Sequence, residues 1–103
     1  MNTLILDNLA QIEGLCRKYR VERLDLFGSA ATDDFDPAAS DVDLLVEFEP
    51  MPPVEHADCF FGLLEELQQL FQRPVDLLEP EPIQNPYLWK GIEQSRRLLY
   101  EAA

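Results

Sequence analysis

The sequence predicts a small α/β domain of the mixed α+β kind, a sheet of about three strands flanked by helices. Three observations carry that expectation. Two stretches repeat apolar residues every three or four positions, three short apolar runs are bounded by Gly, Pro or charged residues, and the two kinds of segment alternate along the chain. A chain of 103 residues is close to the usual size of one domain and should bury about 60–70% of its unfolded surface in a single core, so residues 1–103 are expected to fold as one unit.

The first element is a helix over residues 3–19, where Leu6, Leu9, Ile12, Leu15, Cys16 and Tyr19 form the apolar stripe and Asn2 or Thr3 supplies the cap. Residues 22–27 alternate as a strand that ends at Gly28, and a helical turn can start at Ser29. Pro37 keeps any helix from running through to Asp41. The run "DVDLLVEF" then reads as a buried strand, with Val42, Leu44, Val46 and Phe48 on one face and Asp41, Asp43, Leu45 and Glu47 on the other. Residues 56–72 form a second amphipathic helix, and Val75–Leu78, between two prolines, a short strand. The stretch from Asn85 to the end is expected as one closing helix, capped by Asn85, opened by Pro86, and with Tyr87, Leu88, Ile92, Leu98 and Leu99 mostly inward.

The net charge of −12, from twenty acidic against eight basic residues, argues against direct binding to nucleic acid, because phosphate backbones are held by clustered Lys and Arg. A basic partner, or a ligand approached through a cation, suits it better. Cys16 and Cys59 lack any metal-ligand or redox spacing and are expected as free thiols, Cys16 in the core. The N-terminus lacks a basic leader, and no apolar run approaches the ~18 residues needed to span a bilayer, so a cytoplasmic protein with no membrane contact is expected.

The chemistry is expected at the strand ends. Side chains alternate along a strand, so Asp41 and Asp43 project from one face about 6–7 Å apart along the chain. Two such carboxylates repel one another, and a shared divalent cation removes that cost; hard oxygen donors select Mg²⁺ or Mn²⁺. Asp76 stands alone on a short apolar strand, and if that strand lies beside residues 41–48 its carboxylate reaches the same ions. Gly28 lets a ligand approach the backbone closely, while the Ser29 hydroxyl can meet a phosphate oxygen. Taken singly, each feature is more often a turn or a solvated edge; strand, Gly-Ser, eleven residues, Asp-x-Asp and a later isolated strand Asp form a much rarer set.

That set resembles the minimal nucleotidyltransferase (MNT) family of the polymerase-beta-like superfamily, whose members are often antitoxins paired with HEPN-domain toxins. The resemblance runs through "LFGSAA", "DFDPAASDVDLLVEF", "VDLLEP" and the terminal "NPYLWKGIEQSRRLLYEAA". It implies a nucleotidyltransferase fold with ATP as substrate and Mg²⁺ or Mn²⁺ as cofactor. It also implies that Asp41, Asp43 and Asp76 form the metal and catalytic set, and that Gly28 and Ser29 hold the β and γ phosphates. AMP would pass to a hydroxyl, a tyrosine of a HEPN-domain toxin in related pairs, in a hetero-oligomer with that partner. Thr32, Asp33 and Ala39 stand where the family commonly has Arg, Gly and Arg. The alternative is therefore an antitoxin that neutralises its partner by binding alone.

Overall fold

The computed structural model describes residues 3–32 and 41–103. The elements run α1 (Thr3–Leu6), α2 (Leu9–Lys18), β1 (Val21–Phe27), a 3-10 turn (Gly28–Ala31), β2 (Val42–Phe48), α3 (Pro53–Phe71), β3 (Val75–Leu78), α4 (Pro86–Ser95) and β4 (Arg97–Glu101). The strands form one sheet in the order β3-β2-β1-β4; β1 is antiparallel to both its neighbours, and β2 and β3 are parallel.

The apolar stripes read from the sequence cover one sheet face. Ile12 and Cys16 of α2 and Leu63, Leu67 and Phe71 of α3 pack on Leu24, Leu26, Val42, Leu44 and Val46. Cys16 is buried, and burial, followed by the charge of Glu13, pushes its thiol up to about 12, which leaves it inert. The opposite face carries a smaller cluster, Phe27, Leu45 and Ile92 with Leu78, Ile83 and Trp89 against it, through which α4 lies across the sheet. No described helix is long and apolar enough to cross a membrane.

Two local expectations give way. The first helix breaks at Asp7 and Asn8, because the Asn8 side chain turns back to donate to the Leu4 carbonyl at 2.8 Å, a bond that competes with helix continuation. Asn2, one of the two expected caps, lies outside the described residues, as do Asp33, Pro37 and Ala39; Thr3 is the first residue of α1.

The larger correction is at the C-terminus, where the expected closing helix stops at Ser95 and Arg97–Glu101 becomes a fourth strand. The sheet therefore has four strands, not three. The helical spacing of Leu98 and Leu99 is real, but the outer edge of β1 leaves backbone groups that must be paired, and β4 pairs them, closing with Ala102 N–H donating to Glu22 O at 2.8 Å. Leu98 is consequently half exposed rather than inward, and on α4 only Ile92 is buried, while Tyr87 and Leu88, also expected inward, lie exposed on its first turn. Asn85 caps α4 as its sequence indicates, its side chain accepting from the amides of Tyr87 and Leu88.

Candidate active site

β2 leaves the 3-10 turn's side of the sheet with alternating faces, and this sends Asp43 to the face opposite the main core. Asp43 is directly opposite Asp76 in the parallel β2–β3 register, and opposite Phe27 in the antiparallel β1–β2 register. Neighbouring strands lie about 4.8 Å apart, so the two carboxyl groups meet. Burial raises the Asp43 carboxyl to about 6, helped by its hydrogen bond to Asp76, by the charge of Asp76 and, last, by the charge of Asp41. Between about pH 4 and 6, Asp43 therefore keeps a proton that an isolated aspartate would have lost.

Asp41, immediately before β2, is exposed and reaches Asp43 only through its charge. Among the described residues no set of three or more His, Cys, Asp or Glu side chains is already gathered as a metal-binding group. The structure thus brings Asp43 and Asp76 together and leaves Asp41 outside their contact. Two hard carboxylates in mutual repulsion, with a third two residues away on an exposed and rotatable side chain, still fit a divalent cation in donor chemistry.

Gly28 follows Phe27 directly and adopts φ +66°. A Cβ at this position would overlap Oδ2 of Asp43 and lie 3.3 Å from its Cγ, so the absence of a side chain leaves the space that Asp43 occupies. Gly28→Ala is expected to lower stability by about 2 kcal/mol through backbone strain and overlap. It should also displace Asp43; a denaturant melt beside an activity assay checks both. Ser29 is half-buried in the turn, and its carbonyl accepts from the amide and hydroxyl of Thr32 at 3.0 and 3.1 Å.

Sequence reasoning misses what holds this turn. Gly28 N–H donates to Ser95 Oγ at 3.0 Å, and Ser95 Oγ–H donates to Gly91 O at 3.0 Å, so the last turn of α4 is tied to the Gly-Ser turn. The next residue, Arg96, donates from Nε to Asp25 Oδ2 at 2.6 Å and pairs with it again through a terminal nitrogen. Asp25 is fully buried on β1 and also accepts from Arg23 Nε at 3.1 Å. Arg96 reads as a solvated charge from sequence alone. The signal that could have found its role is Asp25, an acid between Leu24 and Leu26 on a central strand, which must have a cationic partner.

With this geometry in view, comparison with known proteins is decisive. The family described as "Nucleotidyltransferase domain" matches residues 10–99. The chain belongs to that family. Two Methanocaldococcus jannaschii relatives carry the names "Putative protein adenylyltransferase MJ0128" and "Putative protein adenylyltransferase MJ1379"; the first is 39% identical over 80 residues, 78% of each chain, and the second 35% identical over 77 residues, 75% of each chain. Among solved structures, this nucleotidyltransferase is similar to one described as a "putative minimal nucleotidyltransferase", with a TM-score of 0.64 and 24% identity over 90% of each chain. It is also similar to a toxin–antitoxin complex with AMP-PNP, with a TM-score of 0.67 and 19% identity over 92% of this chain and 74% of that one. A third likeness is to a complex of a tri-AMPylated Shewanella oneidensis HEPN toxin with an MNT antitoxin, with a TM-score of 0.63 and 18% identity over 94% of this chain and 72% of that one. At these identities the structural likenesses establish the minimal nucleotidyltransferase fold.

Proposed function

We propose that this nucleotidyltransferase moves AMP from ATP to a hydroxyl, a tyrosine, of a HEPN-domain toxin, and so acts as its antitoxin in the cytoplasm. The observation that carries the reading is the cross-strand Asp43–Asp76 contact, placed against a glycine whose missing side chain makes room for it. Asp43 and Asp76, with Asp41 turned toward them, would hold Mg²⁺ or Mn²⁺. Bound there, the ion supplies positive charge to a triphosphate that the acidic chain would otherwise repel. Ser29 is the phosphate-side group, since the amide of Gly28 is already taken by Ser95.

The acceptor oxygen attacks the α-phosphorus of ATP, the bond from that phosphorus to the bridging oxygen breaks, and pyrophosphate leaves with its electron pair. Asp76, exposed and at the sheet's edge strand, accepts the hydroxyl proton. Protein names among the relatives favour a protein acceptor, and the HEPN complexes among the structural likenesses favour this partner. Incubating the chain with α-labelled ATP, Mg²⁺ and the HEPN-domain protein is expected to label that protein on tyrosine. Absence of label at saturating nucleotide would overturn the reading.

The exposure of Asp41, outside the Asp43–Asp76 contact, favours a second reading, neutralisation by binding alone. In that case toxin activity stays suppressed without ATP and by a variant with both Asp43 and Asp76 changed to Asn. Under the first reading suppression is lost in both.

A further inference from the structure

We infer that the acceptor protein docks in an apolar furrow along α3, the β3 edge and the start of α4, and that it does so with an amphipathic helix flanked by Lys or Arg. This inference rests on the protein-acceptor reading above.

The furrow is formed by two adjoining cavities of about 500 and 400 Å³ that share Phe60 and Glu79. Phe61 closes one end and Leu88 the other; they are 64% and 45% exposed, and Val54, one apolar repeat before Phe61 on α3, is 75% exposed. Large side chains left in water along one line cost free energy unless something covers them. The packing of α3 does not require them: its buried stripe is Leu63, Leu67 and Phe71. An apolar furrow between two helices is the receptor half of helix-in-groove recognition.

Charge selects the occupant. Between Arg23 and Lys90 the only Lys or Arg is Arg73, against fifteen Asp and Glu residues, and α3 contains no Lys or Arg at all. A third cavity of about 730 Å³ continues from the furrow through His56, Glu79 and Ile83, and its walls add Glu47 and Glu81 beside Trp89 and Phe48. His56 is committed to Glu79, and no Lys or Arg is among the described residues lining this cavity. Glu47 feels Arg23 across the β1–β2 register, but that guanidinium is already shared with Asp25 and Glu101. A partner that buries apolar side chains here must therefore bring positive charge to the rim, or it desolvates carboxylates without compensation.

The position also suits the reaction. Leu78, in the furrow wall, is two residues beyond Asp76 and on the same face of β3, which is about 7 Å along the strand. A protein seated in the furrow thus holds its surface against the edge at which Asp76 is exposed.

The test is a calorimetric titration of the full chain with the HEPN-domain protein in the absence of nucleotide, followed by the labelling assay. Phe61→Asp is expected to weaken binding at least tenfold. Glu47→Gln with Glu81→Gln is expected to weaken it severalfold and to flatten its salt dependence. Both variants should bind ATP with Mg²⁺ as the parent does and give an unchanged far-UV spectrum. Binding by Phe61→Asp within twofold of the parent, or no binding of the HEPN-domain protein by the parent, would overturn the inference. So would a dimer of the chain alone, seen by light scattering, that Phe61→Asp splits into monomers, because a second copy would then own the furrow. Intact binding without label transfer by the parent counts against the reaction and not the furrow; retained transfer and binding by Phe61→Asp counts against the furrow and not the reaction.

Discussion

Asp43→Asn is expected to reduce AMP transfer by about a thousandfold, equivalent to about 4 kcal/mol of barrier, while making the metal-free protein more stable. The two effects have one origin. Asp43 is held against Asp76 in strand register and partly removed from water, so its ionisation is opposed by burial, by the bond to Asp76 and by neighbouring charge. Asparagine keeps the shape and a hydrogen bond to Asp76 but removes the charge a divalent ion needs.

The pH dependence has a definite sign. The folded-state value, about 6, lies above the ordinary aspartate value, so between about pH 4 and 6 the folded chain binds more protons than the unfolded one. Stability of the metal-free protein should therefore rise as pH falls from 7 toward 4, as far as this group is concerned, and the penalty is fully present above 6. Allowing for solvent screening at a partly exposed carboxyl, the gain is about 1–2 kcal/mol. Denaturant melts at pH 7 and 4.5 check this, and Asp43→Asn should flatten the difference. Metal affinity runs the other way, because the cation displaces the proton; Mn²⁺ titrations should tighten as pH rises through 6. A parent and an Asn variant with the same pH profile would remove the physical basis of the site.

Arg96→Ala is expected to be the most damaging substitution for the fold. Asp25 is fully buried and forked between Arg96 and Arg23, so removing Arg96 leaves a buried carboxylate with one partner on a less enclosed side chain. Breaking a buried pair in this way costs about 2–4 kcal/mol, and the midpoint of thermal unfolding should fall by roughly 10–20 °C. Changing both members, Asp25→Leu with Arg96→Met, should recover most of the loss, since no buried charge remains and Arg23, the other partner of Asp25, is partly exposed and still faces Glu101. A double-mutant cycle on thermal unfolding measures the coupling. Arg96 also fixes the end of α4, where Ser95 accepts from Gly28, so Arg96→Lys should keep most of the stability but raise the KM for ATP more than it lowers kcat.

Much of the fold is legible in the residue pattern. The alternation of residues 41–48 assigns Val42, Leu44 and Val46 to the core and Asp43 and Leu45 to the other face, and the short run 75–78 is a strand, as its bounding prolines suggest. Side-chain period is a local property, and the chain states it residue by residue. Residues 97–101 mislead for the same reason. Their spacing suits a helix, and nothing nearby in sequence records that β1, some seventy residues earlier, lacks a partner on one side.

The amino-acid order alone determined which residues are candidates for the chemistry, Asp41, Asp43, Asp76, Gly28 and Ser29, and which segments would bury their apolar faces. Only the tertiary structure decided that Asp43 meets Asp76 while Asp41 stays apart, that Gly28 answers to Ser95, and that Asp25 draws Arg96 out of water. Periodicity is set by bonds between neighbouring residues, whereas register and pairing are set by contacts between distant ones, whose free energy exists only once the chain has closed on itself.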